Sequence, residues 1–181
     1  HYNGSAESYM RMGRTFALHL LALDALPKGQ VMKWQASQEG LRTMLHQYPP
    51  EKDGLALWGS SIFRLWERAP AHFSEHKVTN LAFGGARSWE ALHYANETLF
   101  PMRPSTILYY CGSNDVNAGE DAFSIAERFR LFSELTRDRL PDTKIFFGSI
   151  NRSPEKKERW NVVDEANQLV ASYCETQDGR T

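Results

Sequence analysis

The sequence predicts an α/β fold, a three-layer α/β/α sandwich built on a central parallel sheet. Two observations carry this. Four short apolar runs each stop at a glycine, and stretches with apolar residues repeating at three and four lie between them. A third observation sets the class: 41% hydrophobic and 24% charged residues over 181 positions are the proportions of a soluble globular chain of one domain. The balance of 21 basic against 22 acidic residues, net −1, supplies no electrostatic attraction to nucleic acid or an anionic membrane. Two cysteines, Cys111 and Cys174, are too few for a disulfide framework, and each reads as a small buried hydrophobe.

Residues 5–26 read as a helix stopped by Pro27-Lys28-Gly29. Its apolar stretch, 16–26, is interrupted by His19 and Asp24 and is too short to span a bilayer. Phe16, Leu20 and Leu23 fall at i, i+4 and i+7, on one face of an amphipathic helix. Residues 31–47 read as a second helix, with Met32, Leu41, Met44 and Leu45 as core contacts, and 49–54 as a loop. The chain thus divides into an N-terminal helical segment, 1–53, and an α/β domain, 54–181.

Within the domain the strands are Leu55-Ala56-Leu57-Trp58 before Gly59, Val78-Thr79-Asn80-Leu81-Ala82-Phe83 before Gly84, Thr106-Ile107-Leu108-Tyr109-Tyr110-Cys111 before Gly112, and Lys144-Ile145-Phe146-Phe147 before Gly148. Such continuous runs suit strands buried on both faces. Helices are expected over 88–99, 122–140 and 155–174; the second has an apolar face of Phe123, Ala126, Phe129, Leu131, Phe132 and Leu135. In a parallel sheet with right-handed crossovers, functional groups gather beyond the carboxyl ends of the strands.

Three strand ends therefore matter: Gly59-Ser60-Ser61, Gly84-Gly85-Ala86 and Gly112-Ser113-Asn114-Asp115. Together they suit acyl transfer. A serine at a strand-to-helix turn is exposed, and attack on an ester builds negative charge on the carbonyl oxygen that preorganised donors must hold. Gly85 offers a backbone N–H with no side chain in the way, Asn114 a neutral side-chain amide, and Ser61 its own N–H. Each has a plainer reading: Ser61 as a helix cap, Gly84-Gly85 as a turn, Asn114-Asp115 as turn chemistry. Their force lies in occurring in order at three successive strand ends.

These blocks resemble the SGNH hydrolases, the GDSL-type esterases and lipases. Gly59-Ser60-Ser61-Ile62 is similar to the first block, Gly-Asp-Ser, with Ser60 in place of the usual Asp, and the run on to Arg64-Leu65-Trp66 resembles one branch of the family. The resemblance implies that Ser61 is the nucleophile. Asn80-Leu81-Ala82-Phe83-Gly84-Gly85 resembles the second block and implies an oxyanion role for the Gly85 N–H; Gly112-Ser113-Asn114-Asp115 resembles the third and implies one for Asn114. Ile150-Asn151-Arg152-Ser153-Pro154 is also similar to that branch. The resemblance covers 54–175 and implies a flavodoxin-like sandwich acting on a small acyl or acetyl ester of a lipid or carbohydrate, with neither metal nor organic cofactor.

The family's fourth block, Asp-x-x-His, supplies the general base, and the sequence contains no such block. The expectation is a chain cut before its final strand and helix, with little esterase activity alone and an uncovered sheet edge that favours dimerisation or poor solubility. The alternative is an SGNH-fold binding module without catalysis; a third reading, transfer to another hydroxyl acceptor, uses the same residues. His93 would lie about 10 Å from the rim along its helix and reads as structural. His72 and His76, four apart, lack the further ligands of a metal site. Trp58, Trp66, Phe83 and Trp89 read as core packing. Arg64 could bind an anionic group of the substrate, and the plainer expectation is a pair with a nearby carboxylate.

Overall fold

The computed structural model describes residues 35–47 and 54–177, together with Arg14, Ala17, Leu18, Leu20, Leu21 and Gly179. Most of the expected first helix, the start of the second and the loop before Gly54 lie outside the described residues. The elements run α1 (Gln35–Gln47), β1 (Leu55–Gly59), α2 (Ser61–Arg64), α3 (Ala69–His72), β2 (Val78–Asn80), α4 (Ser88–Tyr94), β3 (Thr106–Tyr110), α5 (Ser113–Asn117), α6 (Ala122–Arg139), β4 (Lys144–Phe147) and α7 (Trp160–Glu175). The four strands form one parallel sheet in the order β2-β1-β3-β4. This is the predicted α/β class.

Alternation along each strand sends side chains to opposite faces. Ala56, Trp58, Ile107, Tyr109 and Ile145 enter the larger core with residues of α4, α6 and α7. Leu57 and Tyr110 point the other way, against Phe63 and Ala69 of the short helices α2 and α3. The layers are therefore unequal: α4, α6 and α7 pack on one face and the single-turn helices α2 and α3 on the other. Only β1 is buried along its whole length; β2 is half-buried, and β4 presents Lys144 and Phe146 to solvent. β3, although interior, is half-buried at Thr106 and Leu108, so the burial expected on both faces of every strand is met along the whole length of β1 alone.

Beyond Asn80 the chain leaves regular strand geometry, although the Leu81 and Phe83 amides still donate to Leu57 O and Gly59 O at 2.9 Å. The helix expected over 88–99 is α only to Tyr94. It widens into a π-turn (Ala95–Leu99) and tightens into a 3-10 turn (Phe100–Met102), ending at Arg103 with φ of 48°. Pro101 removes an amide from the α ladder there. The 155–174 helix likewise opens as a 3-10 turn (Pro154–Arg159) before α7. In α6 the predicted apolar face holds except at Phe123, which is 67% exposed in the first turn.

Some of the described N-terminal residues pack on the same core, whereas Leu20, expected on the packed face of the first helix, is exposed, as is Leu21. Leu18 is buried in it and Leu41 and Leu45 rest against it. Thr98 Oγ1 donates to the buried Gln38 Oε1 at 2.9 Å, and Arg42 pairs with Glu97. At the other edge, a cavity of about 310 Å³ lies between β4 and α7, lined by Ile145, Phe147, Asn167, Val170 and Cys174. No helix among the described residues is long and apolar enough to cross a membrane.

Candidate active site

The strand order places β1, which leads to Ser61, between β2, which leads to Gly85, and β3, which leads to Asn114. All three strand ends open on one rim. β1 turns at Gly59, whose φ is 129°. A Cβ there would fall on the Tyr110 carbonyl oxygen of the neighbouring strand, so the turn requires glycine. The Ser60 amide extends the ladder by donating to Tyr110 O at 2.9 Å, and the Ser60 carbonyl accepts from the Phe63 and Arg64 amides, both at 3.1 Å. Ser60 is thus the cap position of α2, buried, with no side-chain capping bond. Ser61 is the first helical residue, so the plainer expectation of a capping role passes to its neighbour. Ser61 is half-buried, and among the described residues neither its N–H nor its hydroxyl has a hydrogen-bond partner.

Gly85 is half-buried with φ of 73°, and its N–H has no partner among the described residues. The loop that carries it is anchored at Asn80. The Asn80 Nδ2 amide donates to Phe63 O at 2.7 Å, and its Oδ1 accepts from Ala82 N at 3.1 Å. One side chain thereby ties the helix of Ser61 to the loop of Gly85.

At the third strand end, Gly112 has φ of 122°, and a Cβ would collide with Ile150 Cδ1. Asn114 follows in α5. Its Nδ2 donates one hydrogen to Ala86 O at 2.9 Å, and the Cys111 thiol donates to the same carbonyl at 3.3 Å. That bond orients the amide and leaves its second hydrogen. Burial pushes the Cys111 thiol well up, in keeping with a packing role.

Two groups that sequence reasoning did not single out hold this rim together. Asp115, wholly buried, accepts from Ser88 and from Arg128, and Arg128 also pairs with Glu120. The signal was present: Arg128 lies between Ile125 and Phe132 on the apolar stripe of α6, where a charge must find a partner. Lys156, with 7% of its side chain exposed, donates to Ser113 Oγ at 2.7 Å and Ser153 Oγ at 3.1 Å. It joins the loop after β4 to the residue before Asn114.

The remaining candidates resolve by contact. Trp58, Phe83 and Trp89 are buried; Trp58 Nε1 donates to Ala91 O at 3.1 Å. Trp66 is half-buried against Phe63 and Phe73 and donates to His72 Nδ1 at 2.8 Å. His93 packs edge-on against Tyr94, and burial lowers its pKa. No described histidine hydrogen-bonds to Ser61, and His1 and His19 lie outside the described residues. No group of three His, Cys, Asp or Glu among the described residues could hold a metal ion. Arg64 departs from expectation: it is exposed and has no carboxylate partner among the described residues.

The architecture defined here is the α/β fold of the GDSL-like, or SGNH, hydrolases. A GDSL-like lipase from Bacteroides thetaiotaomicron superposes with a TM-score of 0.66 at 16% identity, over 78% of this chain and 74% of that one. A lipolytic G-D-S-L family protein from Veillonella parvula gives 0.59 at 17% identity, over 67% and 72%. A carbohydrate esterase of family 3 from Talaromyces cellulolyticus gives 0.56 at 15%, over 69% and 73%. In sequence the chain matches no family model and no curated protein. The resemblance read from the three blocks therefore meets its counterpart at the level of the fold.

Proposed function

We propose that this chain is a serine ester hydrolase of the SGNH type, acting on a small acyl or acetyl ester. The observation that carries the reading is the donor set at three adjacent strand ends: two backbone N–H groups, at Ser61 and Gly85, and one amide hydrogen of Asn114, all uncommitted among the described residues. In this reading the Ser61 oxygen forms a bond to the acyl carbon as its proton passes to a general base. The carbonyl oxygen gains the negative charge, which the three donors stabilise. The ester bond then breaks, the alcohol leaves with the proton, and water repeats the sequence to free the acid. Each donor of this kind contributes about 2.7–4 kcal/mol to lowering the barrier. Structural neighbours described as a lipase and as a carbohydrate esterase support lipid or carbohydrate esters as the substrate class. Residues 54–181 would form the ester-binding unit and 1–53 its helical accessory.

One observation favours a second reading, a binding module: the Ser61 hydroxyl has no histidine partner among the described residues. A fluorophosphonate probe with exogenous imidazole as proton acceptor separates the two. Under the hydrolase reading, a covalent adduct forms at Ser61, imidazole accelerates it, and Ser61→Ala abolishes it without loss of stability. An ester that binds at the rim while Ser61 stays unlabelled under both conditions overturns the hydrolase reading in favour of the module.

A further inference from the structure

Arg64 stands three residues after Ser61, on the same side of α2. Helical side chains lean toward the N-terminus, here toward Ser61 and the rim. A Cβ on Gly84 would come 2.8 Å from Arg64 Nε and 3.4 Å from its Cζ, so the guanidinium lies against the Gly84 backbone, beside Gly85. Any larger residue at 84 would displace it. Arg128 pairs with Asp115 and Glu120, Arg130 with Glu127 and Glu134, and Arg152 with Asp164, whereas Arg68 and Arg103, like Arg64, have no carboxylate partner among the described residues; of these three, Arg64 is the one within a helical turn of Ser61 and against Gly84. Arg64 is exposed and, among the described residues, has neither an ion pair nor a side-chain hydrogen bond. An always-charged fork of five donors is thus laid along the loop that carries one proposed oxyanion donor, one helical turn from the proposed nucleophile.

We propose that Arg64 binds an anionic substituent of the substrate, a carboxylate or phosphate, so that the site takes anionic esters in preference to neutral ones. The inference rests on the ester-site reading above. The planar fork suits two parallel hydrogen bonds to either oxyanion. Gly84 is what permits the approach, because the guanidinium occupies the space its side chain would fill.

The test is a titration of the 181-residue chain followed by amide and arginine Nε–H resonances, with monomethyl succinate, 2-acetoxyethyl phosphate and neutral methyl butyrate as probes. At least one anionic ester is expected to bind roughly three- to tenfold more tightly than methyl butyrate, shifting Arg64 Nε–H together with the Ser61 and Gly85 amides. The stronger anionic probe identifies carboxylate or phosphate as the preferred group. Arg64→Gln, at an exposed position, should bring the anionic esters to the neutral level, and Arg64→Lys should restore part of the difference. Equal binding of all three esters at the rim overturns the Arg64 proposal and leaves the ester site standing. The same preference persisting in Arg64→Gln also overturns it. If no ester shifts Ser61, Gly85 or Asn114, the ester-site reading falls and the Arg64 proposal falls with it.

Discussion

Asp115 and Ser88 are joined by three hydrogen bonds out of reach of solvent: the Ser88 amide donates to the two carboxylate oxygens at 3.0 and 2.9 Å, and Ser88 Oγ donates at 2.5 Å. Ser88 opens α4, three residues after Gly85, and Asp115 follows Asn114. The pair therefore fixes the separation of the two loops that frame Ser61. Arg128 Nη1, 3.3 Å from Asp115 Oδ1, places a cation beside it.

Asp115→Ala should cost about 3–5 kcal/mol, because it removes the buried acceptor of Ser88 and leaves Arg128 with Glu120 as its one carboxylate partner among the described residues. Asp115→Asn keeps the shape and should cost less. Burial raises the Asp115 pKa, against the Ser88 hydrogen bonds and Arg128, which lower it. With its folded pKa raised, the native state holds this proton more tightly than the unfolded chain. That contribution is full below the ordinary carboxylate value of about 4 and is lost as pH rises through the folded value. The stability advantage of the wild type over Asp115→Asn should therefore shrink as pH rises above about 4 and through the raised folded value, as read by urea unfolding.

Gly59→Ala should destabilise by about 3 kcal/mol or prevent folding, since φ of 129° is strained for alanine and the new methyl meets the Tyr110 backbone, which cannot move without breaking the β1–β3 ladder. Gly40→Ala is the contrasting case. It lies within α1, a Cβ there has nothing within 4 Å, and the change should stabilise by about 0.5–1 kcal/mol. Thermal unfolding of the two variants against wild type checks both signs at once.

Lys156→Met should lose about 1–3 kcal/mol by leaving the Ser113 and Ser153 hydroxyls without their buried donor. Because Ser113 precedes Asn114, the variant should also move the Asn114 side-chain amide resonances. Lys157→Met, one residue along and exposed, should do neither. Unmoved Asn114 signals in a folded Lys156→Met variant would show that the lysine braces its loop without reaching the rim.

Much of the frame is legible in the sequence for a local reason. A β run before a glycine, or an apolar repeat of three and four, reports the conformation of its own segment, and β1, β3, β4, α6 and most of α7 fall where those patterns put them. Pro101 interrupts the α ladder of the helix before it, while the 3-10 turn that opens α7 breaks at Lys156, whose φ of −110° and ψ of 16° are not helical. Arg128 was readable in principle as a charge on an apolar stripe. Its partner was not, since Asp115 looks like ordinary turn chemistry until α6 is folded against α5.

Residue type fixes the class of fold, the order of the three glycine-turned loops, and the chemistry available at Ser61, Gly85 and Asn114. Those follow from residue type and short-range spacing. Packing in three dimensions sets β1 between β2 and β3, gives the capping position to Ser60, bonds Asp115 to Ser88 across 27 residues, and lays Arg64 against Gly84 with no carboxylate partner among the described residues. These are outcomes of packing between distant segments: strand order, burial and the pairing of charges depend on which surfaces meet, and no local pattern encodes that meeting.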